Sequence, residues 1–423
     1  MRRYILDGDE MRIRVCMVTG FRPTPSGGGM EKHVYELVCG LLARDVDVQI
    51  VCEDRSHLPD PVNGLAGRII GLPPESLDQE EPMPMDRWVP LYEEKSRRFA
   101  EMLDPSSFDI IHSHSHYGRD IALRLSAMDH RPALINTFHL TPVGQLERFR
   151  ALGLPAPEGA PIDRAVSDME ATAARLSDRS IAVSHGVQRE VCTYYGVPDE
   201  RVPVIYNWYD PGNFDVHLRP EARDKLALDP HAPYLLYIGH FKQHRGKLMA
   251  EAMRRLPPEV RLLVIHPEGD PEIAAEFGGR ILFCGYQTPE QLGLYYAAAD
   301  LQCFPTVYSG FGLVLVEGMA CGCPPVVFNY SAMNEIVTSD SGYIADEPTA
   351  AAYADAIRRA LQDGGAKCHA AVERSRRFRM DRQIDRVVDL YREVLVQETR
   401  PIRETRSVPR LIKQQRAEGV VHD

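Results

Sequence analysis

The constraint that most limits the fold of this chain is a rhythm that runs along it twice. From Met11, short β-rich apolar runs at residues 13–18, 48–52, 110–111, 134–137, 181–183 and 203–206 alternate with segments of helical periodicity. The pattern pauses near Asp210-Pro211-Gly212-Asn213 and restarts with runs at 234–239, 262–265, 281–285, 301–305 and 325–328. Strands alternating with helices specify parallel sheets wrapped by helices. The halves share this rhythm but no alignable repeat. The expectation is an α/β chain with one domain over 11–210, a second over 211–398 and a basic, flexible tail over 399–423. Pro- and Gly-rich stretches at 57–90 and 154–161 read as loops over an active face, within the longer loops 54–90 and 141–161 that would set acceptor specificity.

At 423 residues, each half is long enough for its own core. There are 49 basic and 60 acidic residues, a formal charge of −11. That balance works against a generic nucleic-acid binder, which needs a surplus of Lys and Arg on some face. No apolar run approaches the roughly 18 residues of a membrane span, and charges stand where a signal peptide would be hydrophobic. Nine cysteines, an odd number set mostly in apolar segments, fit a reducing compartment. A cytoplasmic protein is expected, with Met11 a candidate for its true start. Arg403, Arg406, Arg410, Lys413 and Arg416 read as a solvated tail, and peripheral membrane contact has no support beyond them.

Five segments could carry chemistry. Gly27-Gly28-Gly29-Met30-Glu31-Lys32-His33 follows the first strand and opens a helix, so its N–H groups could meet an anion or a sugar edge. Its spacing fits neither a dinucleotide fingerprint nor a Walker loop, and a plain turn explains it equally well. His112, His114 and His116 lie two apart at a strand end, where they could converge on a metal. No Cys, Asp or Glu completes that set, and sheet ends bind substrates without metals. His139 in Asn136-Thr137-Phe138-His139 stands just past another strand, placed to contact a substrate or satisfy a loop.

In the second half, the segment Gly239–Lys247 brings His240, Lys242, His244, Arg245 and Lys247 to a strand-to-helix turn. The run Ser309-Gly310-Phe311-Gly312 then enters a helix at Leu313 that carries Glu317. Free N–H groups at that start suit a diphosphate, and Glu317 could accept hydrogen bonds from ribose hydroxyls. The plainer alternative is a Gly-rich turn before a surface glutamate.

With these residues in view, the chain resembles the family 4 retaining glycosyltransferases, especially the branch with sucrose-phosphate synthases and the mycothiol-pathway N-acetylglucosaminyltransferase. The likeness spans roughly 11–396 and is most specific in GFGLVLVEGMACGCPPVV, residues 310–327. GGMEKHV, DIIHSH, NTFH, SDRSIAVSHGV and VIYN support it in the family's order. The resemblance implies two Rossmann-like domains facing a central cleft, the GT-B architecture. It also implies a donor nucleoside-diphosphate sugar as co-substrate, no cofactor, no metal, and an unidentified small or lipid-linked acceptor. Glu317 falls on the ribose position, and Gly310, Phe311, Gly312 and Leu313 on the cradle of the donor sugar and diphosphate. His139 falls beside the transferred sugar, Gly28 and Gly29 on the loop between donor and acceptor, and His112 and His114 on the acceptor side. The catalytic set so implied is His139, Arg245 and Glu317, with protein cations and a helix N-terminus stabilising the leaving diphosphate.

Three positions depart from the family pattern. Ser309 replaces the first of two glutamates eight apart, the usual Arg–Lys diphosphate pair reads His240 and Arg245, and Asn207-Trp208 replaces Asn-Gly between the domains. Arginine clamps oxygens bidentately, whereas histidine is only partly charged near neutrality. A non-catalytic nucleotide-sugar-binding subunit with a degenerate site is the alternative these changes raise. Ser309 carries a prediction about the donor. A sugar altered where the glutamate would bind, such as a deoxy- or aminosugar, should be transferred in preference to glucose. UDP-glucose outperforming every such donor, with no loss in Ser309→Ala, would sink it.

Overall fold

Along the first β-run, Val15 and Met17 face one side and Cys16 and Val18 the other, and all four are fully buried. Only a strand covered on both faces needs an unbroken apolar run. The computed structural model, which describes residues 12–25, 28–53, 65–72, 87–157, 160–216, 219–241 and 244–397, supplies both covers. Val34, Leu37 and Leu41 of α1 (Gly29–Leu42) pack under Val15 and Met17. Phe99 of α2 (Trp88–Met102) and Ile121 of α3 (Arg119–Ser126) cover Cys16 and Val18.

The first sheet has six parallel strands in the order β3-β2-β1-β4-β5-β6. They are β1 (Arg14–Phe21), β2 (Asp47–Glu53), β3 (Ile69–Leu72), β4 (Ile110–His114), β5 (Ala133–Phe138) and β6 (Arg179–Ala182). The second repeats the arrangement as β12-β11-β10-β7-β8-β9, again all parallel. Its strands are β7 (Tyr234–Ile238), β8 (Arg261–Ile265), β9 (Ile281–Phe283), β10 (Leu301–Phe304), β11 (Pro325–Phe328) and β12 (Tyr343–Ala345). Strand order reverses between β1 and β4 and between β7 and β10, which opens a crevice beyond the carboxyl ends of those pairs. The chain is therefore α/β with two Rossmann-like sheets in the GT-B manner.

Several local expectations are corrected. Residues 203–206 form no strand, only a bridge of Val204 to Ala182, since Pro203 has no N–H for a ladder. Edge strands β3 and β12 were not legible, being three or four residues long, with β3 set among Gly and Pro. The 141–161 stretch is partly helical: the Thr141 hydroxyl caps α4 (Pro142–Ala151) by accepting from the Gly144 N–H at 3.1 Å. The basic tail and the loop lysine Lys242 lie outside the described residues.

One apolar cluster joins the halves: Phe138, Val187 and Tyr206 from the first lie in it with Leu236, Phe304 and Phe311 from the second. The helix α15 (Met380–Gln397) returns to the first domain, burying Ile384, Val387 and Tyr391 against α1 and the sheet. No helix among the described residues is long and apolar enough to cross a membrane.

Gly40 of α1 sets the approach of α15, because a Cβ there would lie 2.1 Å from Ile384 Cδ1. Gly40→Val should lower stability by about 1–3 kcal/mol through overpacking. Ile384→Ala in the same chain should relieve part of that cost. Additive losses in denaturant titrations of the single and double variants would show that the two residues do not meet.

Candidate active site

The sequence-selected residues gather at the carboxyl ends of the strands beside the two switch points. On the second domain, β7 leads through Gly239, at φ +142°, to His240. The His240 ring lies 3.6 Å from Glu268 and 4.6 Å from the His266 ring centre. Arg245, in α8 (His244–Arg254), sits over the Phe304 ring at 5.9 Å. β10 leads to Gly312, the N-cap of α11 (Leu313–Ala320), whose φ of +98° suits glycine and whose start has no side-chain cap. The Leu313 N–H, at the first position of that helix, has no intrahelical acceptor. The Phe311 side chain turns into the joint core, and the Ser309 carbonyl accepts from Ser331 Oγ at 2.7 Å.

Glu317 is only 3% exposed, and both its oxygens are engaged. Tyr296 OH donates to Oε2 at 3.1 Å, and Lys32 Nζ, from α1 of the other domain, donates to Oε1 at 2.5 Å. Lys32 also stands 3.9 Å from Glu36 Oε1, one turn along α1. Trp208 Nε1 donates to Glu36 Oε2 at 2.9 Å. Burial depresses the Lys32 ammonium, but Glu317 and Glu36 reverse this and leave it raised. For Glu36, burial outweighs Lys32 and pushes the carboxyl up to about 7.

Facing this is a column of histidines. His112 and His114 of β4 stack with ring centres 4.9 Å apart, and His114 stacks on His139 at 5.3 Å. His33 of α1 meets His139 edge-on at 4.7 Å and lies against Trp208 at 4.2 Å. Burial holds all four neutral, with His112 lowered to about 3 and His139 to about 4. His114 Nε2 points at Met17 Sδ, 3.2 Å away, which can only accept, so the proton belongs on Nε2. His114 Nδ1 then accepts from His139 Nε2–H at 3.0 Å.

Two expectations change here. His112 cannot reach an acceptor, since its nitrogens are held inside by Tyr391 OH at 2.6 Å and Thr137 Oγ1 at 2.7 Å. His116 does not converge with its neighbours, because β4 ends at His114 and the His116 ring packs on Tyr92 and Tyr117. The converging set is instead His33, His114 and His139.

The two half-sites touch through backbone. A Cβ on Gly310 would fall 1.7 Å from the His139 carbonyl oxygen, so only glycine allows this approach. Gly28 precedes α1, and a Cβ on Gly29 would lie 3.5 Å from Leu313 of the other domain. Tyr308 OH accepts from the Thr141 N–H at 3.0 Å and donates to Glu190 at 2.8 Å. Lys32 and His33 stand in the first glycine segment and Trp208 marks a departure from the family pattern, but sequence assigns no role to them or to Tyr308, although Lys32 and Glu36 show the i, i+4 spacing of a helical ion pair. A depression of about 570 Å³ lined by Asp229, Arg261 and Arg280 lies at the opposite, amino ends of β7 and β8.

Sequence models of two families match in succession: Glycosyltransferase Family 4 over residues 27–213 and Glycosyl transferases group 1 over 219–378. The chain carries a Glycosyltransferase Family 4 domain followed by a Glycosyl transferases group 1 domain. This glycosyltransferase is 27% identical over 363 residues to a D-inositol 3-phosphate glycosyltransferase of Nocardia farcinica, covering 80% of this chain and 78% of that one. It is 27% identical to an uncharacterised glycosyltransferase of Methanocaldococcus jannaschii, covering 77% and 83%. In fold it is similar to sucrose-phosphate synthase from Thermosynechococcus elongatus, with TM-score 0.76, 22% identity, and 91% of this chain and 100% of that one covered. It is also similar to Anabaena HepE in complex with UDP-glucose, with TM-score 0.64, 17% identity, and 90% and 100% covered. The enzyme is thus a transferase of GT-B type related to nucleotide-sugar-using proteins.

The raised Glu36 carboxyl gives the glycosyltransferase a testable pH dependence. Its folded value near 7 lies above the ordinary 4.5, so protonation favours the fold. This contribution is full below pH 4.5 and is lost as pH rises through about 7. Glu36→Gln should therefore gain on the parent across that window, by on the order of 3 kcal/mol above it. Parallel stability–pH curves for the two proteins would contradict this.

Proposed function

We propose that this enzyme is a cytoplasmic retaining transferase that moves a hexose-type unit from a nucleoside diphosphate to a small-molecule or lipid-linked acceptor. The observation that carries the reading is the meeting of Glu317 and the α11 start with His139 and the Gly28-Gly29 loop across one cleft. Ribose hydroxyls would donate to Glu317, with Lys32 giving up or sharing Oε1. The diphosphate would lie against the open N–H groups of α11, with Arg245 and His240 as its side-chain donors. His139 would stand beside the transferred sugar, and its neutral ring suits a hydrogen-bonding role rather than a charged one.

Departure of the diphosphate leaves positive character at the anomeric carbon. The acceptor hydroxyl attacks from the same face, and a leaving phosphate oxygen takes its proton, so no protein base is assigned. Helix N–H groups and Arg245 stabilise the leaving charge without a metal ion. The Anabaena neighbour, whose structure is a complex with UDP-glucose, makes a uridine donor the first to try. Nine thiols with no disulfide agree with a reducing compartment.

Calorimetric titration of the metal-free protein with UDP, GDP, dTDP and ADP tests this. One diphosphate should bind selectively, and Glu317→Ala should weaken it at least tenfold, as expected for loss of hydrogen bonds to a charged group. The anomeric configuration of the product, read by NMR, should match the donor's. Failure to bind any of the four, or an inverted product, would overturn the proposal.

A further inference from the structure

One nitrogen from each of His33, His114 and His139 lies within 4.8 Å of the other two. The rings come from α1, the end of β4 and the residue after β5, so the packing of three elements sets their spacing. His33 is 4% exposed, and its Nδ1 has no hydrogen-bond partner among the described residues. A buried ring nitrogen in that state lacks a ligand that something else can supply. The geometry points to a three-imidazole site for a zinc-class divalent cation, held by His33, His114 and His139 at the reaction centre.

Imidazole donors select zinc, cobalt or nickel over magnesium and calcium. Zinc–nitrogen bonds of 2.0–2.1 Å place tetrahedral ligand atoms about 3.4 Å apart. The His114–His139 pair is already at 3.0 Å, so the closing movement falls mainly on His33. Burial keeps all three rings neutral, so their lone pairs need no deprotonation. His114 Nδ1 is already an acceptor, and His139 frees Nε2 by moving its proton to Nδ1. Three protein ligands leave one tetrahedral position to water on the side where His139 is partly exposed.

The cation would take the His139 nitrogen from the transferred sugar, making zinc an inhibitor of the metal-independent chemistry proposed above. That consequence rests on the role proposed for His139, whereas binding of the ion does not. The test is titration of full-length, metal-free protein with Co²⁺ followed by visible absorption, with Zn²⁺ displacement by calorimetry. One ion per chain should bind with the ligand-field bands of a tetrahedral nitrogen site and without a thiolate charge-transfer band. His33→Phe and His33→Gln should each weaken binding at least tenfold. Should His33→Phe misfold by circular dichroism, His33→Gln carries the comparison. No stoichiometric uptake, a thiolate band, or undiminished affinity in a folded His33 variant would overturn the site. Nucleoside-diphosphate titration of the same samples reads the donor pocket separately, so failure of one proposal is distinguishable from failure of the other.

Discussion

The Glu317 carboxylate is removed from water, and an unmatched charge there would cost several kcal/mol. Its match comes from Lys32 of the opposite domain, so the same ion pair holds the domains together and sets the charge of the cleft. Lys32 is held in turn by Glu36, and Glu36 by the indole of Trp208 in the segment that joins the halves. Domain closure, the path of the crossover and the pairing of the Glu317 carboxylate are consequently one electrostatic problem. A ligand entering here has to provide Glu317 with donors at least as good as the ammonium it meets.

Shorter-range contacts fix what that pair brings together. The Gly310 backbone lies on the His139 carbonyl, Tyr308 bridges Thr141 and Glu190, and Glu335 accepts from the N–H groups of His185 and Gly186 at the start of α6 (His185–Tyr195). The last is a carboxylate on the positive end of a helix, favourable in both charge and geometry. Behind these polar contacts the apolar cluster continues from one domain to the other. The interface is accordingly core-like in its centre, which makes the relative placement of the two half-sites as firm as packing within a domain.

Much of this was legible in the chain because the relevant signals are local. A run such as residues 15–18 announces a strand buried on both faces, and the glycines flanking Phe311 announce a helix start that something approaches closely. What stayed hidden depends on contacts distant in sequence. Lys32 and Glu317 are 285 positions apart, and neither side chain carries a mark of the other. The histidines show the same limit: spacing within β4 suggested a set of 112, 114 and 116, while the fold substitutes His33 and His139 for two of them. The replacement of glycine by Trp208 was visible, but its reason, a ring against His33 and a hydrogen bond to Glu36, required the packed structure. Short edge strands were missed because three or four residues hold too little periodicity to read.

The return of α15 to the first domain has a consequence for how the enzyme is made. That domain's sheet is complete by Ala182, yet the face beneath Val15, Ile50 and Ile135 is covered in part by Ile384, Val387 and Tyr391. At ordinary rates of synthesis the ribosome needs on the order of 10–40 s to pass from the end of β6 to the end of α15. Throughout that interval the nascent first domain carries an open apolar flank that only the last helix can close. Newly made chains therefore present a chaperone with a sticky, nearly finished domain, and assembly ends when the C-terminal helix seals it.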